Sequence, residues 1–298
     1  MSPRGPQLGL WIRAVRVHQW VKNLLIFVPL LASHQLGKHA VLLHGLLAFA
    51  LFSLCASSAY LVNDILDLPH DRQHPEKSRR PIASGQVSVR AARVISPLLL
   101  IVSLGCAYWL LPHLFSAALA AYYLVSIGYS TWLKRFVIID VVTLAMLYTL
   151  RIAAGALVFQ LVLTFWMLAF SIFIFLSLAF AKRYTELNGA RNRGDSRQIG
   201  GRGYYPQDLA VISSLGGASG YLSVLVLALY IQDQNTTVLY RHPQLIWLAC
   251  PLLLYWISWV WMLTHRGRMY DDPVVFAVRD RASLIVGVVF GLVFWLAS

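Results

Sequence analysis

Long apolar runs separated by short charged connections recur from one end of this chain to the other, and they leave few architectures open. Nine such segments are read, at residues 24–36, 40–66, 93–111, 114–132, 138–159, 162–182, 209–231, 244–264 and 281–297. All but the first approach the roughly 20 residues that a helix needs to cross a bilayer. With 58% hydrophobic and only 12% charged residues, the chain lies outside the range of soluble domains. The expected fold class is therefore all-α, a polytopic membrane helix bundle of nine transmembrane helices. Ten Trp and fourteen Tyr suit interfacial belts, although packing inside a bundle accounts for many of them. Cys55, Cys106 and Cys250 sit far apart in apolar segments and read as small hydrophobes. No small-residue cleavage site follows the first apolar run, so no cleaved signal peptide is expected.

A net charge of +13 raises the question of nucleic acid, but its distribution points to a membrane. Of the 25 Lys and Arg, 22 fall in the N-terminus and the even-numbered loops, only Lys38 and Arg241 fall on the other side, and Arg151 lies within a segment. The positive-inside rule then puts the N-terminus in the cytoplasm and the C-terminus outside. No nucleic-acid partner is expected. The expected partners are cytosolic phosphorylated molecules and the bilayer of the inner (cytoplasmic) membrane.

The second segment ends in the densest acidic stretch of the chain. Asp64, Asp67 and Asp71 fall within eight positions, in a protein with twelve carboxylates in all. Residues three and seven apart share a helix face, with Asn63 one turn behind Asp67. Like charges side by side repel unless a cation sits between them. Magnesium is normally held by one or two carboxylates plus substrate phosphates, which makes a diphosphate-bound Mg2+ site the functional reading. The bland alternative is a solvated helix end. Lys77, Arg79 and Arg80 follow directly and suit the remaining phosphate oxygens, which favours the functional reading. Pro69 disfavours helix in the residue before it, so Asp71 is placed beyond the helix and ranked below Asp64 and Asp67.

Other candidates are spread along the chain. Residues 10–23 mix apolar positions with Arg13, Arg16, His18 and Gln19, and residues 10–19 read as an interfacial amphipathic helix. Lys22 and Asn23 precede a short run containing Pro29, so they sink toward the membrane, where a lysine needs a cavity or an anionic partner. Arg90 and Arg93 are interfacial anchors. Lys134 and Arg135 close the fourth segment and Asp140 opens the fifth. Arg151 lies three helical turns on, within about 20° of the same face. A structural pair with a neighbouring carboxylate and contact with a substrate phosphate are both open for it. Gly155, one turn further, permits close approach of a helix or ligand. The sixth segment ends in Lys182, Arg183, Tyr184 and Glu186. Lys182 and Glu186 are spaced to pair, and Arg191, Arg193, Arg197 and Arg202 read either as a basic lid or as topology alone. Pro206 suits a first helical turn. Asp271 and Asp272 lie among Arg266, Arg268, Arg279 and Arg281 and read as a self-neutralising surface loop.

In combination these motifs are distinctive. Asn63-Asp64-x-x-Asp67-x-x-x-Asp71 resembles the first aspartate motif of the UbiA-type intramembrane prenyltransferase superfamily. The resemblance runs through Gln19-Trp20-Val21-Lys22-Asn23, then His74-Pro75-x-Lys77-x-x-Arg80-Pro81-Ile82-Ala83-x-Gly85. It continues at Asp140 with Arg151 and Gly155, and at Lys182-Arg183-Tyr184-x-Glu186-Leu187, and within the superfamily it is nearest to the decaprenyl-phosphate phosphoribosyltransferase branch. It implies a single domain over residues 1–298, with nine transmembrane helices around a central cavity open to the cytoplasmic side. Residues 10–23 would form an amphipathic entry, and loops 67–92 and 182–208 the cap of the active site.

The resemblance also implies a reaction, the transfer of 5-phosphoribosyl from phosphoribosyl pyrophosphate to a polyprenyl phosphate. Enzymes of the superfamily that use isoprenoid diphosphates carry a second aspartate-rich motif near the end of the sixth segment, where this chain has only Glu186 among cations. Under this reading Asp64 and Asp67, with Asn63 and Asp71, hold Mg2+ on the pyrophosphate. Lys22, Asn23, Lys77, Arg80, Lys134, Arg151, Lys182 and Arg183 bind phosphates, and Asp140, Tyr184, Glu186 and Arg202 are further cavity residues. An aromatic prenyltransferase and a non-enzymatic lipid-phosphate carrier are the rival readings.

Overall fold

Apolar residues on every side of a segment leave a helix no polar face to expose, and the computed structural model answers with helices throughout: every regular element among the described residues is helical. It describes residues 7–33, 39–73, 77–194, 202–233, 240–269 and 272–297. Seven helical stretches are long and apolar enough to cross a membrane: Val41–Leu66, Val89–Leu110, His113–Thr131, Ile139–Val158, Phe165–Asn192, Pro206–Gln232 and Pro243–His265. The shorter apolar stretches Val17–Ala32 and Arg281–Ala297 fall at the first and ninth expected segments. The chain divides into two compact units, Met1–Lys134 with Leu150–Leu163, and Arg135–Thr149 with Thr164–Ser298.

The first unit opens with α1 (Gln7–Ala14), a 3-10 run (Val17–Phe27) and α2 (Val28–Ala32), followed by the long α3 (His39–Leu66). Residues 10–19 thus do not form one amphipathic helix. The chain breaks at Arg16, which takes a left-handed backbone (φ 56°, ψ 51°). Next come α4 (Leu68–Gln73), α5 (Val89–Leu110), α6 (His113–Thr131) and the second half of α7 (Ile139–Val158). Ser88 caps α5, its hydroxyl accepting from the Ala91 amide at 3.1 Å. Below α1 a core of Ala14, Leu61, Ile82, Val87 and Ala92 ties the turn at 80–87 to α3 and α5. Arg90 and Arg93 are exposed in the first turns of α5.

The second unit holds the first half of α7, then α8 (Phe165–Asn192), α9 (Leu209–Gln232), α10 (Ala249–His265), α11 (Pro273–Ala277) and α12 (Arg281–Ala297). Helices α8, α9 and α10 approach closely at Gly216, where a Cβ would lie 2.1 Å from the Trp261 ring. Ser177 closes the same contact, donating to the Gly216 carbonyl at 2.7 Å and accepting from the Trp261 indole at 3.0 Å. The expected loop from residue 182 begins as helix instead, since α8 runs on to Asn192. Its charged residues are paired in place and so give the helix no reason to stop. Pro206 opens a 3-10 turn leading into α9, as its fixed φ favours.

Candidate active site

Ser53, Ser57, Tyr60 and Asp64 are spaced four, three and four apart, so they form one stripe along α3. Chain segment 16–23 lies along this stripe in the opposite direction. The Trp20 indole donates to Ser57 at 3.0 Å, Ser57 donates to the Val15 carbonyl at 2.9 Å, and the Asn23 amide donates to Ser53 at 2.9 Å. The pitch explains the long 3-10 run. From Arg16 to Asn23 a 3-10 rise covers about 14 Å, close to the roughly 16 Å between Asp64 and Ser53 on α3. An α-helical rise would cover only about 10 Å and lose register.

At the end of the stripe, Asp64 is buried and its Oδ1 accepts from Arg16 Nη2 at 2.5 Å and from Arg80 Nη1 at 3.2 Å. Asp71 is equally buried, and its Oδ2 accepts from the same Arg80 Nη1 at 2.5 Å. As Pro69 leads one to expect, Asp71 lies beyond the long α3, which ends at Leu66, although in a short helix of its own. The chain kinks at Asp67 and restarts as α4, with Pro69 tolerated in its first turn, so the Asp71 amide bonds the Asp67 carbonyl at 2.9 Å. That kink points Asp71 back at Asp64 and sends Asp67 to Lys134, whose Nζ lies 2.5 Å from its Oδ1. Asn63 supplies the carbonyl that receives the Asp67 amide. Arg80 follows the 3-10 turn Lys77–Arg79 and is fixed by a turn whose Ile82 and Val87 plug into the core.

Around Asp64 a pocket of about 400 Å³ is lined by Arg13, Arg16, His18, Gln19, Arg79, Arg80 and Pro81. Among the described residues, no group of three His, Cys, Asp or Glu side chains is arranged as a metal cage. Two carboxylates converging on a single guanidinium nitrogen are nevertheless a hard-oxygen pair of the kind Mg2+ uses when substrate phosphates complete its shell. Neither Asp64 Oδ2 nor Asp71 Oδ1 accepts a hydrogen bond from the described residues, which leaves each carboxylate an oxygen for such an ion.

A second polar group of this unit lies inside its helices. Arg151 is buried on α7, donating Nε to Asn23 Oδ1 and Nη2 to the Tyr122 hydroxyl, each at 2.9 Å. Its guanidinium also lies 4.7 Å from the Tyr122 ring centre and 5.5 Å from that of Phe52. An arginine within a span costs about 3 kcal/mol or more. Two charge-assisted hydrogen bonds return about 3–6 kcal/mol and the ring contacts about 2 more, so these neutral partners suffice to seat it. Lys22, next to Asn23, is buried too. Gly155 makes this arrangement possible, because a Cβ there would sit 2.0 Å from the Ile26 carbonyl oxygen.

The remaining candidates belong to the second unit. Arg183 is fully buried on α8, 2.7 Å from Asp140 and also paired with Glu186, which accepts from Arg202 as well. Asp140 accepts from the Tyr204 hydroxyl at 2.5 Å, and that hydroxyl accepts from the Ile138 amide at 2.8 Å. Ile138 has φ 68°, a conformation that disfavours a β-branched residue, so Tyr204 helps hold a strained turn. Burial, reinforced by Asp140, pushes the Tyr204 phenol above its usual pKa and keeps it a donor. Replacing it (Tyr204→Phe) is expected to cost about 2 kcal/mol, read as a lower unfolding midpoint in detergent, because buried Asp140 loses a charge-assisted donor, keeping Arg183 alone, and the Ile138 amide loses its acceptor. Lys182 does not pair with Glu186. Its Nζ lies 3.0 Å from Asp272, which also accepts from the Tyr148 hydroxyl at 2.7 Å. The reading of Asp272 as a loop residue neutralised by nearby arginines is therefore corrected: it turns inward and also caps α11. Tyr184 bonds His265 Nδ1 at 2.8 Å.

The structure thus brings together Asp64, Asp71 and Arg80, pairs Asp67 with Lys134, joins Asn23 to Arg151, and gathers Asp140, Arg183, Glu186 and Arg202. It adds Arg16, which had read as part of an amphipathic face. The spacing gives a trace of the break but not of the role of Arg16: Leu10, Trp11, Val15 and Val21 share one helix face, whereas Trp20 falls opposite it. Residues 74–76, Lys38, Arg197 and Asp271 lie outside the described residues.

Helices of this length and composition make the chain a multi-pass integral membrane protein. It belongs to the UbiA prenyltransferase family, whose profile matches residues 24–284. It is 36% identical to the nodulation protein NoeC of Azorhizobium caulinodans, over 95% of this chain and 92% of that protein. To decaprenyl-phosphate phosphoribosyltransferase of Mycobacterium tuberculosis it is 35% identical, over 96% of this chain and 92% of that one. An uncharacterized protein of Sinorhizobium fredii, y4nM, is 35% identical over 96% of this chain, which spans only 55% of its length. In fold the chain resembles a UbiA homolog from Archaeoglobus fulgidus, solved with GPP and Mg2+, with TM-score 0.70 over 97% of this chain and 99% of that one at 15% identity.

Proposed function

We propose that the protein transfers a 5-phosphoribosyl group from phosphoribosyl pyrophosphate to a polyprenyl phosphate, releasing pyrophosphate, at the cytoplasmic face of the membrane. The observation that carries this reading is the pocket around Asp64, where four arginines and a histidine face one carboxylate. A donor with a pyrophosphate and a separate 5-phosphate, meeting an acceptor with a phosphate of its own, needs that surplus of cations. The phosphoribosyltransferase relative, matched over nearly its whole length, supports the same substrates.

Asp64 and Asp71, with Asp67 and Asn63 beside them, would hold Mg2+. When bound, the ion neutralises charge that gathers on the departing pyrophosphate. Arg16, Arg79 and Arg80 bind the pyrophosphate oxygens and stabilise the same charge. The bond between the ribose anomeric carbon and the pyrophosphate oxygen breaks with its electron pair leaving on oxygen, and a lipid phosphate oxygen forms the new bond. The nucleophile is already an anion, so no general base is called for. Lys77 and Lys134 lie in the turns that follow the aspartate motif and close α6, and they screen the two anionic substrates from each other. Asn23, fixed by Arg151, and its buried neighbour Lys22 suit the lipid phosphate. Nine membrane crossings with the N-terminus in the cytoplasm are part of this proposal.

The test is direct. Purified protein is incubated with labelled phosphoribosyl pyrophosphate, Mg2+ and a polyprenyl phosphate, and lipid-linked phosphoribose is expected, lost on chelation and restored by Mg2+. Absence of that product, with transfer from an isoprenoid diphosphate to an aromatic acceptor instead, overturns the reading.

A further inference from the structure

We infer that Arg16 is an exchange cation, which neutralises Asp64 before pyrophosphate binds and swings onto the pyrophosphate oxygens afterwards. The inference rests on the proposed reading of the Asp64 pocket and adds to it a residue with a specific task. Three observations carry it.

The first is backbone conformation. Arg16 sits at φ 56° and ψ 51°, a region that glycine occupies freely and other L-residues resist. An arginine kept there must return something through its side chain, and strain of this kind concentrates at functional sites. The bend separates α1 from the 3-10 run and turns the guanidinium back toward α3, where it meets Asp64.

The second is charge balance. Asp64 and Asp71 carry two negative charges, and Arg16 and Arg80 carry two positive ones on the same oxygens. The cluster is neutral as it stands. A divalent ion added alone would leave an excess of two positive charges packed together, whereas an ion arriving with pyrophosphate brings the anion that the displaced Arg16 guanidinium needs. Metal and pyrophosphate should therefore bind cooperatively, each raising the other's affinity by the same factor.

The third is that Arg16 has a second support. Its guanidinium carbon lies 5.3 Å from the centre of the Tyr60 ring, one turn from Asp64 on the same stripe of α3. Stacking on that face keeps the group at the pocket rim when its carboxylate partner is taken away. Arg80 lacks this freedom, because its turn is anchored in the core and it bridges two carboxylates at once.

The test separates side chain from backbone. Arg16→Gly removes the guanidinium yet suits the left-handed position, and Arg16→Lys keeps a charge. Mn2+ binding without pyrophosphate is read by electron paramagnetic resonance, and retention of labelled inorganic pyrophosphate is read at saturating Mn2+. The expectation is a crossed result. Arg16→Gly binds Mn2+ alone about three- to tenfold more tightly than the parent, because a competing cation is gone, and retains pyrophosphate about tenfold or more weakly. Arg16→Lys keeps the parental order. Both affinities moving in the same direction, or neither moving, shows Arg16 to be a structural tie and overturns the inference alone. A parent protein that retains no pyrophosphate with Mn2+ removes the proposed reaction as well.

Discussion

Asp64→Asn and Asp71→Asn are each expected to lower phosphoribosyl transfer by about 100-fold or more, with near-parental retention of the fold. The size follows from what the carboxylates do together. Each supplies charge to a cluster in which one guanidinium nitrogen touches both, at 3.2 Å and 2.5 Å, so neither replaces the other. Losing one preorganised electrostatic group in a site of this kind typically costs about 10²–10³ in rate. Asparagine keeps the shape, and the orphaned Arg16 and Arg80 side chains remain 20% and 27% exposed, so water takes up much of the lost pairing and the cost to stability stays small. Ranking by sequence put Asp71 below Asp67, whereas the convergence of Asp71 with Asp64 on Arg80 is expected to make its removal as damaging as that of Asp64. Rates measured with labelled phosphoribosyl pyrophosphate, set beside unfolding midpoints in detergent, check both halves. A parental rate in Asp71→Asn removes the carboxylate pair as the centre of the site.

The contrast between Asp71 and Asp67 marks what can be read from residues alone. Hydropathy is a property of a segment, so the seven long spans and the two shorter apolar stretches fall at the expected segments, although α8 runs on to Asn192 and the first stretch starts at Val17. The aspartate motif is equally legible, because three carboxylates crowded at the end of so apolar a run must be neutralised by cations gathered around them. What stays hidden are partners chosen by packing. Lys182 meets Asp272 across 90 residues, and nothing in the spacing of Lys182 and Glu186 reveals that a planar Arg183 takes the glutamate instead. Counting loop charges averages Asp272 over its neighbours, whereas the folded chain turns it inward toward Tyr148. Arg16 is hidden for a different reason. An arginine among apolar residues looks like the wet side of a helix until the backbone is seen to reverse beneath it.

Gly155→Val is expected to lower the unfolding midpoint and transfer activity together, although residue 155 touches no pocket residue. At this position α7 and the 3-10 run meet through bare backbone, and an added Cβ would lie 2.0 Å from the Ile26 oxygen and 2.8 Å from its carbonyl carbon. Neither atom belongs to a flexible side chain, so the run itself must retreat. Overpacking of this kind costs about 1–3 kcal/mol. The retreat also pulls Asn23 away from Arg151, one turn before Gly155, and from Ser53, exposing a buried guanidinium to the loss of a hydrogen bond worth about 2 kcal/mol. Because the same run is pinned to α3 at Ser57 and ends at Arg16, its displacement reaches the Asp64 pocket by sliding a register that the 3-10 pitch only just satisfies. Gly155→Ala should show the same change in smaller measure. Gly105→Ala on α5, where an added Cβ meets nothing within 4 Å, should leave both readouts at the parental level. If Gly155→Val unfolds at the parental temperature, the close contact between α7 and the 3-10 run is not what holds Asn23 against Arg151.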